Sequence, residues 1–149
     1  MALETKKIIN IIKLFEKVLG DKIKDFILPP PIFEVMKCEV IEYDEAQKLL
    51  IIKVPILKEW LNPYGTMQGG MIDAAIDNAV GPLSMLVAST SMTRTIETKL
   101  LKSIAIDVGY IYVKAHLLEE KKRRLTFEVS VTGIDGVVYA TSKVVNFIL

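Results

Sequence analysis

The stretch that most constrains this chain is "NPYGTMQGGMIDAAIDNAV", Asn62 to Val80. It sets two aspartates, Asp73 and Asp77, inside one of the most apolar segments of the sequence, directly behind the glycine pair Gly69 and Gly70. A carboxylate in an apolar helix is costly unless it is paired or hydrogen-bonded. The apolar run continues to Ser89 and is long enough to tempt a bilayer assignment. Each aspartate at a bilayer centre would cost about 2.5–3.5 kcal/mol. Gly81 and Pro82 interrupt the run, and no basic residues flank it. The reading is a helix buried in protein, with its polar residues turned toward a cleft or a second subunit.

Asp73 and Asp77 stand four apart and so share one helical face. Gly81 and Ser84 extend that face, while Ile72, Ile76, Val80, Leu83 and Leu86 are bulky and apolar. Glycine at a helix start admits a ligand without a β-carbon in the way. The first amides of the helix are unsatisfied donors at its electropositive end, suited to an anion or a polarised carbonyl oxygen. A carboxylate beside such amides is a minimal kit for general-base or nucleophilic attack on an acyl carbonyl. Taken singly, each aspartate reads equally well as a structural residue bonded to a neighbouring strand. Neither a GxGxxG pattern nor a Walker-type Lys-Ser/Thr accompanies the glycines, so a nucleotide phosphate loop is not supported.

The surroundings of this helix read as mostly sheet. Residues 4–19 place Ile8, Ile11, Ile12, Phe15, Val18 and Leu19 on one stripe, which predicts an amphipathic helix packed on the domain, with a membrane-surface role as the alternative. "LPPPIF" predicts an extended connection. Residues 1–30 are therefore assigned to helix and connection, and 31–149 to a single domain. β-like runs follow from Phe33, over Lys48 to Ile56, Thr93 to Lys102, Val108 to Leu118, Leu125 to Thr132 and Val137 to Phe147. Their short breaks, "YDEAQ", "EEKKRR" and "IDGV", predict hairpins and a mainly antiparallel sheet. The fold class is α+β: about six strands wrapped around one long central helix.

Charge and cysteine narrow the function classes. Lys+Arg 19 against Asp+Glu 18 lacks the basic excess of a nucleic-acid binder. The single cysteine, Cys38, excludes an internal disulfide and reads as a small apolar core residue. A reducing, cytoplasmic location is the expectation, and Lys13, Glu16 and Lys17 break up any secretory h-region near the N-terminus. The one histidine, His116, falls in a predicted strand and cannot build a metal site alone.

"NPYGTMQGG" followed by an apolar helix bearing "DNA" resembles the hotdog-fold acyl-CoA thioesterases of the phenylacetate-pathway (PaaI) type. The likeness extends over roughly Phe33 to Phe147, through "TRTIETKLLKS" and "GYIYVKAHLLEEKKRRLTFEVSVTGIDGVVYATSKV". It implies a hotdog fold and hydrolysis of an acyl-CoA thioester to a carboxylic acid and free coenzyme A. By position it implies that the Gly69 amide polarises the thioester carbonyl and that Asp77, eight residues on, is base or nucleophile. Asn62 would help hold the water or thioester, and Thr95 would assist. Gln68 stands where many members have His; it donates a hydrogen bond but cannot titrate. Gly70, Asp73 and Ser84 are expected to line the substrate site, although the family pattern gives Asp73 no role.

The resemblance further implies that the acid comes from one subunit and the glycine end from another. A homodimer joined edge to edge, or a dimer-of-dimers tetramer, is therefore expected, with no metal and with coenzyme A entering only as part of the substrate. "EEKKRR" reads chiefly as a solvated hairpin; the sharper reading has Lys121 to Arg124 attracting coenzyme A phosphates. Two alternatives use the same fold. A non-catalytic acyl-CoA or fatty-acyl binder is favoured by Gln68. A dehydratase or hydratase ranks low, because the helix segment has no His.

Overall fold

The computed structural model describes residues 3–149. Six strands form one sheet: β1 (Glu39–Asp44), β2 (Leu49–Pro55), β3 (Ser91–Leu100), β4 (Tyr110–Lys121), β5 (Arg124–Thr132) and β6 (Val138–Ile148). The order is β1-β2-β4-β5-β6-β3, and every pairing is antiparallel. Three hairpins explain most of it. The Asp44 carboxylate accepts from the Gln47 amide at the β1–β2 turn. Lys122, at φ 55°, turns the chain between β4 and β5. Asp135 and Gly136, the latter at φ 81°, form the turn ahead of β6.

One long helix, α3 (Gly69–Val87), crosses the sheet and contacts β2, β3, β4 and β5. Ile72, Ala75, Ile76, Ala79, Val80, Leu83 and Leu86 are all buried there. They meet Leu50, Ile52 and Val54 of β2, Ile111, Val113 and Ala115 of β4, and Leu125, Phe127 and Val129 of β5. Alternation along each strand puts these residues on one face, and burying each large side chain contributes roughly 1.5–3 kcal/mol. The architecture is the one expected from the period of the sequence.

The N-terminal third departs from expectation in two places. The helix expected over 4–19 begins only at α1 (Ile11–Leu19), because Asn10 caps it by accepting from the Lys13 amide at 3.0 Å. Ahead of it, Ile9 is bridged to Val40 of β1 instead of being helical. The expected extended connection and β-run from Phe33 contain instead a one-turn helix, α2 (Pro31–Val35). Pro31 sits in its first turn, where a missing amide costs nothing. The first strand therefore starts six residues later than Phe33, at Glu39.

Phe15 of α1 is fully buried and joins the main core. Cys38 is buried as well, and burial pushes its thiol up to about 12 despite a hydrogen bond from Asn78. Asn78, the asparagine of "DNA", donates to Met36 Sδ at 3.0 Å and to Cys38 Sγ at 3.7 Å. It ties α3 to the segment entering β1 and faces away from both aspartates.

Candidate active site

The loop that delivers the chain to α3 is built by Asn62. Its side-chain oxygen accepts from the amides of Tyr64 (2.9 Å) and Thr66 (3.2 Å), and its Nδ2 donates to Thr66 Oγ1 (2.8 Å). The Asn62 amide itself donates to the Thr66 carbonyl, and Gly65 at φ 78° closes the turn. The Gln68 amide donates to the Trp60 carbonyl at 2.8 Å, which fixes where the helix begins. Asn62 thus spends most of its polar capacity holding this loop in shape.

At the start of α3, Gln68 occupies the cap position without a side-chain cap bond, and no acid lies in the first turn. The Gly69 and Gly70 amides have no carbonyl four residues back within the helix, so the electropositive end is left for a ligand. Gly69 lies beneath the end of β3: a β-carbon there would sit 3.3 Å from Leu100 Cδ1. A β-carbon on Gly70 would meet open space. Asn62, Thr66, Gly69, Ile72, Leu100 and Ser103 border one cleft of about 280 Å³. Asn62 and the Gly69 end of the helix are therefore brought together.

Gly69, Asp73 and Asp77 follow one helical face, and that face looks at β3. Thr98 Oγ1 donates to Asp73 Oδ1 at 2.6 Å, and Thr93 Oγ1 donates to Asp77 Oδ1 at 2.8 Å. Thr98 is itself backed by Ser142 of β6, with the two hydroxyl oxygens 2.9 Å apart. Because the Thr98 proton is used on Asp73, the single Ser142 proton is shared between Thr98 Oγ1 and the Glu97 carbonyl, the latter at 3.1 Å. Asp73 is half-buried and held by a two-hydroxyl chain, whereas Asp77 is exposed and held by one threonine.

Sequence reasoning missed Thr93, Thr98 and Ser142, and chose Thr95. The cause is a β-bulge: Thr93 pairs with Asn146 and Thr95 with Val145, leaving Arg94 as the extra residue. The bulge inverts the alternation, so Thr93 faces the helix and Thr95 is exposed on the outer face beside Val145. A cluster of threonines in "TRTIETK" was the available signal, but its facing was not readable. Ser84 also departs from expectation. It is only 3 % exposed, and its hydroxyl is spent on the Gly81 carbonyl at 2.7 Å, so it does not line a cleft.

Distance along the helix constrains the chemistry. Eight residues at about 1.5 Å each separate Gly69 from Asp77 by about 12 Å. One reacting carbonyl cannot touch both groups of a single chain. Two chains with antiparallel helices could bring the Gly69 end of one to the Asp77 of the other. Among the described residues no three His, Cys, Asp or Glu side chains are grouped to hold a metal ion. Nor is any helix among them long and apolar enough to cross a membrane.

No family model and no curated protein matches the chain. Solved structures do. A candidate thioesterase, the phenylacetic acid degradation-related protein of Ralstonia eutropha JMP134, superposes with a TM-score of 0.78 at 17% identity, covering 91% of this chain and 98% of that one. The PaaI protein of the Escherichia coli phenylacetic acid degradation operon gives 0.77 at 10% identity, with 94% and 96% covered. A hypothetical thioesterase of Streptococcus pneumoniae TIGR4, solved with coenzyme A, gives 0.70 at 15% identity, with 75% and 85% covered. With the six-stranded sheet over α3, these establish the hotdog fold for this chain.

Proposed function

We propose that the chain is an acyl-CoA thioesterase that hydrolyses its substrate to a carboxylic acid and free coenzyme A. The observation that carries the reading is the face Gly69–Asp73–Asp77 of α3, laid against β3 with an uncapped, acid-free helix start at one end. The thioester oxygen binds at the Gly69 amide, where the helix end stabilises the negative charge that develops on it. Asp77 of a second subunit activates water or attacks the carbonyl carbon directly. Asn62 acts through the loop it shapes, Gln68 adds a hydrogen bond from the cap position, and Thr93 orients the Asp77 carboxylate. Gly70 leaves room for the incoming thioester, and the Asp73–Thr98 pair lines the wall between the two ends.

The homodimer in this reading is supported by the separation of about 12 Å along the helix and by β3, whose outer edge has no partner strand among the described residues. The hydrolase reading is supported by two structural neighbours described as thioesterases, one of them solved with coenzyme A. A panel of acyl-CoA substrates, read by release of free thiol, tests the proposal. Asp77→Asn should lower turnover by roughly 10²–10⁴-fold with circular dichroism unchanged. An unaltered rate in that variant would overturn the assignment of Asp77. Binding across the whole panel with no thiol release would favour the second reading, a non-catalytic acyl-CoA binder, for which Gln68 in place of a titrating side chain is the specific support.

A further inference from the structure

The β4–β5 hairpin carries Lys121, Lys122, Arg123 and Arg124 in sequence, and all four are exposed. They border a cleft of about 550 Å³ together with Glu119 and Phe147. The Arg94 guanidinium lies over the Phe147 ring at 5.3 Å from its centroid. Phe147 is partly exposed, and it alternates with the buried Asn146, so it stands on the sheet face opposite α3. Arg124 pairs with Phe147 across β5 and β6 and shares that face. The cleft is therefore separated from Gly69 and Asp77 by the thickness of the sheet.

The site is held rather than loose. Arg123 donates from Nε (3.0 Å) and Nη2 (2.9 Å) to the Ile148 carbonyl, and the Ile148 amide donates back to the Arg123 carbonyl at 2.7 Å. The turn is pinned to the last strand. Among the described residues none of these cations is in an ion pair, and Glu119 is the one acid at the rim of the cleft. A volume of this size suits a small molecule better than a flat protein surface. Clustered guanidinium and ammonium groups recognise phosphate oxygens, and an exposed ring already stacked by a guanidinium offers a platform for a flat base.

We infer that this cleft binds a nucleoside polyphosphate, with the phosphates on Lys121, Lys122 and Arg124 and the base against Phe147 and Arg94. The Arg94 bulge of β3 then has a use on each face: it turns Thr93 inward to Asp77 and its own guanidinium outward to Phe147. The chemistry fits two sources, a free nucleoside di- or triphosphate and the nucleotide end of coenzyme A. The inference does not depend on thioester hydrolysis, since the two sites lie on opposite faces.

Isothermal titration with ADP, ATP, coenzyme A and inorganic pyrophosphate tests it without any turnover assay. ADP and ATP should bind, more weakly as salt rises. Arg124→Glu should weaken both by about ten-fold or more, the loss of a charge-assisted contact. Phe147→Ala should weaken ADP while leaving pyrophosphate within about two-fold, because only the base loses its platform. Competition between ADP and coenzyme A, with both sensitive to Arg124→Glu, supports the coenzyme as source; ADP binding that coenzyme A does not displace supports a free nucleotide. No binding of ADP or ATP overturns the inference, as does equal affinity in Arg124→Glu. Unchanged ADP affinity in Phe147→Ala leaves only anion attraction and overturns the nucleotide assignment. Asp77→Asn should bind ADP as the unaltered chain does, which separates this result from the fate of the hydrolase reading.

Discussion

The two edges of the sheet are treated in opposite ways. At β1 the N-terminal segment closes the edge: Ile9 is bridged to Val40, Lys6 forms an ion pair with Glu42, and the strand is bulged between Val40 and Glu42. Leu3 packs with Ile41, Leu49, Ile51 and Tyr112 on the outer face, while α1, a few residues on, packs into the core on the other. The chain thus passes around the edge and covers it. At β3 every residue but Arg94 pairs with β6, and among the described residues no strand pairs on the other side. An unpaired strand edge is a template for another chain, and proteins usually blunt such edges. This one blunts β1 and leaves β3 open beside both aspartates, which is the arrangement a shared two-chain site requires.

The largest effect expected from testing this contrast is at β3. Glu97 is exposed on β3, where the proposed homodimer would join two copies of the strand. Glu97→Arg adds a cation beside Arg94 to that seam from each copy, and like charges directly across a sheet are destabilising. If the site is shared between two chains as proposed, sedimentation should show a shift from dimer to monomer, with thiol release from acyl-CoA falling in step. Glu42→Lys at β1 breaks only a partly exposed ion pair, worth about 0–1 kcal/mol, and should leave the oligomer alone. A Glu97→Arg chain that sediments as the unaltered protein does would break the comparison.

How far the sequence discloses this arrangement depends on the length over which a signal repeats. The burial of α3 was legible because its apolar residues recur over five turns. The antiparallel order was legible because each break is a hairpin with its own turn residues, as at Asp135 and Gly136. The closed β1 edge was not, since Ile8, Ile11 and Ile12 fit a helical stripe even though Ile9, beside them, is bridged to a strand. In the candidate site, the sequence singles out Gly69 and Asp77 as candidates, but the residues they face were not legible. Thr93 replaces Thr95 as the hydroxyl facing Asp77 because one inserted residue, Arg94, changes which side of the strand faces in. Nothing in local composition announces a bulge. Asp73 likewise finds its partner 25 residues away in Thr98, and that threonine is backed by Ser142, a further 44 away.

A smaller effect separates the two aspartates along the open edge. Thr98→Val removes the donor to the half-buried Asp73 and leaves Ser142 only the Glu97 carbonyl as acceptor. The cost should be about 1–3 kcal/mol in denaturant unfolding, because a carboxylate loses its hydrogen bond in a partly desolvated place. Thr93→Val, beside the exposed Asp77, should cost under about 1 kcal/mol, since water replaces the lost donor. Its larger effect should be on turnover, through a carboxylate no longer held in one orientation. If Thr93→Val proves the more destabilising of the two, the distinction between a structural Asp73 and a working Asp77 fails.

The last effect belongs to the closed side; it is absent at neutral pH and appears only in alkali. Burial beside β1 raises the Cys38 thiol from 9.0 to about 12, so the folded chain keeps a proton that the unfolded chain gives up. Between those values the native state binds more protons than the unfolded state, and stability must fall as pH rises. The loss from this one group should approach about 1.4 kcal/mol per pH unit above pH 9 and flatten near 12. Below pH 9 it should contribute no slope, because both states hold the proton. Cys38→Ala removes the group, so its unfolding free energy should decline less steeply from pH 9 to 11 than that of the unaltered chain, while the two run parallel from pH 6 to 8. Parallel curves throughout would mean that the thiol is reachable by water and that the segment entering β1 is not sealed, which would leave both edges of the sheet open rather than one.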